Sequence, residues 1–142
     1  MSPTEQPLDT NSETRIPVKR DTDVLLACQK GRTLAARLGL SGNDQVVVVI
    51  SISEVARNIF HYAGQGEIML STVQQGDRQG LMVVANDTGP GIANVEQVLQ
   101  DGYSTGGGLG LGLSGAKRLM DEFEIVSEVG RGTTVTMKKW RT

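Results

Sequence analysis

Glu54 and Asn58 stand four residues apart in "SEVARNI", so on a helix they project from one face. A carboxylate beside an amide oxygen can act as general base and as Mg2+ ligand; the same spacing suits a solvated polar pair. A second segment, "NDTGPGI" from Asn86 to Ile92, follows an apolar run and places a carboxylate ahead of two glycines that flank a proline. As a tight turn it requires no ligand. Held at the end of a buried strand, Asp87 can instead accept a hydrogen bond from an exocyclic amine such as adenine's, with Gly89 and Gly91 leaving room for a flat ring. The third segment, "DGYSTGGGLGLGLSG" from Asp101 to Gly115, runs into "AKRLMDEF", which has good helix-forming residues.

Glycine lets backbone N–H groups approach a phosphate closely, and a following helix adds its positive N-terminal end. Taken alone, the segment suits a phosphate loop and a flexible connection equally. Gly110, Gly112 and Gly115 match the G-x-G-x-x-G spacing of dinucleotide sites, but that pattern needs a strand immediately before it. Ala116 stands where a P-loop would carry lysine, and Lys117 suits a solvated helix position. Asp87 and the Glu54/Asn58 pair favour the phosphate cradle over the linker. His61 is the sole histidine, and its spacing from Asn58 carries no metal signature.

These residues need elements to position them. The first fifteen residues are polar and Pro-containing and are expected to form a tail, with the folded domain spanning 16–142. "IPVKR" reads as a short edge strand. Asp21 or Thr22 then caps a helix whose apolar positions are Val24, Leu25, Cys28, Leu34, Ala35 and Leu38, ended by Gly39. The run "QVVVVISISEVARNIFHY" favours strand by propensity. Its length, an N-cap at Ser41 or Asn43, the stop at Gly64 and the shared face of Val47, Ile50, Val55, Ile59 and Tyr62 favour a helix. Two strand-like runs joined through "QQGDRQG" form a hairpin. A short helix from Asn94 to about Leu99, a helix after the glycine loop ending near Phe123, and a hairpin of "EIVSEV" with "TTVTMKKW" complete the chain. The pattern predicts an α+β two-layer sandwich, a mostly antiparallel sheet with helices on one face.

The 142 residues suit one domain, and a net charge of −2 with mixed signs argues against a nucleic-acid surface or an anionic membrane as partner. One cysteine, Cys28, excludes an internal disulfide. With no apolar run of membrane-spanning length and no signal-like N-terminus, the expectation is a soluble cytoplasmic protein.

The three segments in this order resemble the GHKL ATPase superfamily: "SEVARNI" its N box, "NDTGPGI" and "STGGGLGLGL" its two glycine boxes, "GRGTTV" its terminal G-x-G-T element. The match runs from about Ile16 to the C-terminus. Within the superfamily, "SEVARNIFHYAGQGEI" and "DGYSTGGGLGLGLSGAKRLMDEFEI" are similar to the small RsbT-type serine/threonine switch kinases of bacterial stress signalling. The likeness to anti-sigma-factor kinases, which sequester a sigma factor, is looser between the boxes. The resemblance implies ATP and Mg2+ as cofactors, a STAS-domain protein as phosphoacceptor and a PP2C-type phosphatase as a second partner.

Carried over, it makes Glu54 the base for the acceptor hydroxyl and Asn58 the Mg2+ ligand, while Asp87 binds the adenine amine. Gly89, Gly91 and Ile92 would shape the base pocket, with Thr133 supporting the adenine side. Ser104, Thr105, Gly106, Gly107, Gly108, Leu109, Gly110 and Gly112 would wrap the triphosphate, with a lid from Ala93 to Thr105. Gly107 and Ser114 depart from relatives that carry serine and proline there. The remaining alternatives are an anti-sigma factor that sequesters a sigma factor and a binding module whose nucleotide only sets conformation.

Overall fold

The computed structural model describes residues 13–100 and 112–142. Its elements are β1 (Glu13–Val18), α1 (Asp21–Arg37), α2 (Gly42–Tyr62), β2 (Gly66–Gln75), β3 (Arg78–Asp87), α3 (Val95–Val98), α4 (Gly112–Leu119), β4 (Glu122–Glu128) and β5 (Gly132–Trp140). The five strands form one sheet in the order β1-β2-β3-β5-β4, and every neighbouring pair is antiparallel.

Register explains the core. Ile16, Ile68, Ala85, Val135 and Ile125 are successive cross-strand partners, and Leu70, Val83, Met137 and Phe123 form the next row on the same face. These rows lie under α2, whose buried Val48, Ile52, Val55 and Ile59 complete a continuous apolar cluster. Alternation at a period of two leaves Met69, Val84, Thr136 and Glu124 on the opposite face.

The valine-rich run is helical because its ends are chemically fixed and one side is buried. Ser41 Oγ accepts the Asp44 N–H at 3.1 Å, and Gly64, at φ +82°, takes the chain out of the helix with its N–H on the Ile59 carbonyl. The buried stripe is centred about one residue away from the expected one: Val47, Ile50 and Tyr62 are half-buried, whereas Val48 and Ile52 are fully enclosed.

Four expectations are corrected. β1 begins at Glu13 rather than Ile16, because the β2 edge supplies partners to the backbone of polar residues and Arg15 pairs with Glu13 and Glu67. The N-cap of α1 is Arg20, not Asp21 or Thr22; Asp23 reaches back to the N–H groups of Lys19 and Arg20 at 2.8 and 3.2 Å. Leu25 is 70 % exposed; the fully buried positions of α1 are the expected Ala35 together with Ala27 and Gly31, and Val24, Cys28, Leu34 and Leu38 pack partly buried against the core. A Cβ at Gly31 would collide with Ile52 Cδ1, so small residues set the close approach of α1 to α2. Finally, α4 ends at Leu119, and Glu122 and Phe123 belong to β4. Asp121 accepts the Trp140 N–H at 2.7 Å and Lys139 Nζ at 3.2 Å, so pairing with β5 takes over where the helix was expected to continue. Among the described residues no helix is long and apolar enough to cross a membrane.

Candidate functional site

Glu54 and Asn58 lie in the middle of α2, one turn apart, and are 3 % and 2 % exposed. Two enclosed polar side chains are costly in an apolar setting unless something satisfies them. Glu54 Oε2 meets Arg57 Nη1 at 3.4 Å. Asn58 Oδ1 has no hydrogen-bond partner among the described residues, and neither has Ser51 Oγ one turn before Glu54. An enclosed oxygen acceptor without a donor fits a hard cation or a ligand donor. No three His, Cys, Asp or Glu side chains among the described residues group as a metal cage. One protein oxygen with the remaining positions left to phosphates and water is a usual Mg2+ arrangement, so the residues present fit that ion.

Asp87 closes β3 and is also buried. Its Oδ1 accepts the Gly89 N–H at 2.9 Å, which orients the carboxylate at the start of the "TGPGI" loop. Asp87 faces Thr133 across the β3–β5 ladder, and Thr133 faces Ser127 across β4–β5. These three form the polar row at the end of an otherwise apolar sheet face.

The glycines of this loop allow close packing of the chain. A Cβ on Gly89 would strike Ala63 at the C-terminus of α2, and one on Gly91 would strike the Glu128 carbonyl. Gly132, at φ +129°, lies against the Asp87 carbonyl in the same way. They permit backbone-to-backbone contact, joining the loop to α2 on one side and to the β4–β5 turn on the other. Two hydrogen bonds finish that seam: Gly130 N–H to Pro90 O at 2.8 Å and Ile92 N–H to Ser127 Oγ at 2.7 Å.

Ser127 was not singled out from sequence. Its hydroxyl also lies 2.7 Å from Thr133 Oγ1 and 3.2 Å from Gly132 O, so one side chain joins β4, β5 and the loop. The available signal was register: once the second hairpin is aligned about its Gly130–Gly132 turn, Ser127 falls opposite Thr133.

The structure thus gathers Asp87, Gly89, Gly91, Ile92 and Thr133 at one end of the sheet, against the C-terminal end of the helix that carries Glu54 and Asn58. Gly112 opens α4 at φ +60°, and α4 packs against α2. Ser104, Thr105, Gly106, Gly107, Gly108, Leu109 and Gly110 lie outside the described residues. Of the expected lid, Ala93 to Gln100 are described; Asn94 caps the short α3 by accepting the Gln97 N–H.

Residues 18–139 match the family described as histidine kinase-like ATPase domain. The chain is 44 % identical over 130 residues to the serine/threonine-protein kinase RsbT of Bacillus subtilis (strain 168), covering 92 % of this chain and 98 % of that protein. It is 32 % identical over 97 residues to an anti-sigma F factor of Clostridium acetobutylicum, covering 65 % of this chain and 67 % of that one. Among solved structures it resembles the RsbU and RsbW domains of Rv1364c from Mycobacterium tuberculosis, with a TM-score of 0.62 at 16 % identity over 93 % of this chain and 34 % of that one. It also resembles the mycobacterial sensor histidine kinase MprB, with a TM-score of 0.54 at 17 % identity over 92 % and 99 %. At such identities the structural likeness concerns the fold.

Proposed function

The chain belongs to the histidine kinase-like ATPase domain family, and from that premise we propose that it is an ATP- and Mg2+-dependent protein serine/threonine kinase of a bacterial partner-switching module. Its likeness to RsbT along nearly the whole length of both chains supports the kinase class. The observation that carries the reading is the enclosed pair on α2: a buried carboxylate, and one turn on a buried amide oxygen that finds no donor among the described residues.

In this reading Asp87 accepts the adenine amine, oriented by its bond from Gly89, while Thr133 and Ile92 border the base. The segment from Ser104 and Thr105 through Gly106, Gly107, Gly108, Leu109 and Gly110 to Gly112 would offer backbone donors to the phosphates. Asn58 holds Mg2+, which when bound neutralises charge on the phosphates. Glu54 accepts the proton of the incoming serine or threonine hydroxyl as its oxygen attacks the γ-phosphorus and ADP departs. Phosphoryl transfer asks mostly for position and charge compensation, which suits a domain this small. The acceptor is a STAS-domain protein and the second partner a PP2C-type phosphatase, in the cytoplasm, with 16–142 together with the β1 residues from Glu13 as the acting domain.

The test is Mg-ATP with a STAS-domain protein of the same organism. Transfer by the wild type, with Glu54→Gln binding nucleotide normally but transferring at least ~100-fold more slowly, is expected for a general base. Nucleotide binding by a wild-type protein that leaves the STAS protein unphosphorylated would remove the kinase reading. The likeness to an anti-sigma F factor supports a second reading, nucleotide-gated docking to a sigma factor. Capture of a sigma factor in ATP but not in buffer alone would favour it.

A further inference from the structure

Resting on the kinase reading, we propose that Arg57 is the positioning residue for the Glu54 base. On α2 the order around the helix is Asn58, Glu54, Arg57, so the carboxylate lies between the orphaned amide and the guanidinium. Glu54 is enclosed, whereas the Arg57 side chain is 30 % exposed and lies on the solvent side of it. The single nitrogen Nη1 donates to Ser53 Oγ at 3.1 Å, to Ser53 O at 3.4 Å and to Glu54 Oε2 at 3.4 Å. The two Ser53 contacts moor the guanidinium to its own helix, so its contact with Glu54 fixes the carboxylate rather than following it.

This matters because the nucleotide is itself an anion. Phosphates arriving beside Asn58 repel the Glu54 carboxylate, and a cation on its far side counters that displacement. Contact through Oε2 leaves Oε1 to receive the acceptor proton. Arg57 therefore acts on the chemical step through Glu54 and touches neither nucleotide nor acceptor. The bound geometry of a base governs its rate steeply, so misplacement of Glu54 by about 1 Å would cost on the order of 100-fold.

The experiment compares Arg57→Ala, Arg57→Gln and Arg57→Lys in the full chain, with radiolabelled Mg-ATP and the STAS-domain protein used for the wild type. Expected for Arg57→Ala is a fall in kcat between about 10- and 100-fold, with KM for the STAS protein and Kd for Mg-ATP within about threefold. Arg57→Lys restores most of kcat because it restores the charge; Arg57→Gln, similar in reach but neutral, does not. In single-turnover assays Glu54→Gln/Arg57→Ala reacts no more slowly than Glu54→Gln alone, since the arginine acts through the carboxylate. A kcat within threefold of wild type for Arg57→Ala, equal rescue by Gln and Lys, or the same loss in the Glu54→Gln background overturns the assignment. A wild type inactive in this assay fails on the kinase reading and takes the inference with it.

Discussion

Replacing Ser127 by alanine isolates the seam that holds the "TGPGI" loop to the sheet. The hydroxyl accepts the Ile92 N–H, shares a hydrogen bond with the 3 % exposed Thr133 and reaches Gly132 O. Removing it leaves a half-buried backbone N–H and an enclosed hydroxyl without that partner. An orphaned donor costs ~1–3 kcal/mol, and the Thr133 hydroxyl adds about 1 kcal/mol. Partial relaxation trims the sum, so Ser127→Ala should destabilise by about 2–3 kcal/mol, a sizeable share of a typical ~5–15 kcal/mol total. Ile92 and Thr133 border the proposed base site, so Kd for Mg-ATP should rise about tenfold. Urea unfolding monitored by Trp140 fluorescence and titration with a fluorescent ATP analogue measure the two effects. Ser127→Thr, which keeps the hydroxyl on a strand-compatible side chain, should stay within about 1 kcal/mol of wild type. A loss below about 0.5 kcal/mol with unchanged affinity would refute the role given to this hydroxyl.

Three further outcomes are expected. Asn58→Ala removes a buried oxygen that has no donor among the described residues, so relief of about 1–2 kcal/mol should offset the small cavity and leave nucleotide-free stability within about 1 kcal/mol of wild type; thermal melting should also show that Mg-ATP no longer stabilises the variant, and a loss above about 2 kcal/mol would mean Asn58 is a packing residue. Asp87→Asn keeps an acceptor for the Gly89 N–H, so the fold should survive while Kd for ATP rises about 100-fold, because the amide puts a donor where the adenine amine needs an acceptor. Burial raises the Cys28 pKa, with the Arg57 charge opposing, so the folded chain holds the thiol proton more tightly than the unfolded chain does. The resulting stabilisation is fully present below the unfolded thiol pKa of about 8.5 and is lost as pH rises through the higher folded value; urea midpoints above about pH 8.5 should fall more steeply for wild type than for Cys28→Ala.

The parts of this fold that could be read from sequence are those whose signal is local. Ser41 and Gly64 mark the ends of α2 by chemistry confined to a few residues, and they outweigh the strand propensity of four successive valines. The hairpin turns, the apolar alternation and the Glu54/Asn58 spacing are local in the same sense. Leu25 was misassigned because helical periodicity cannot tell which side of α1 meets a neighbour; the contact is decided by Gly31 fitting under Ile52, two residues on different helices. The end of α4 was misjudged for a similar reason, since Asp121 is committed to Trp140 and Lys139 on β5.

The proposed site divides along the same line, and this explains why its glycines were only half understood. Composition alone marked Gly89 and Gly91 as positions without a side chain, which suggested space. Their neighbours, Ala63 and the Glu128 carbonyl, come from segments far along the chain and lie where a Cβ would stand. The shape of the site is therefore held by backbones pressed together from α2, the loop and the β4–β5 turn. The side chains added to that frame obey a different rule: Asn58 and Ser51 are enclosed with oxygens unsatisfied among the described residues, which a fold selected for stability alone would replace with apolar residues. Packing accounts for the glycines, whereas the oxygen of Asn58, unpartnered among the described residues, has no packing explanation and is what the proposed Mg2+ site would use.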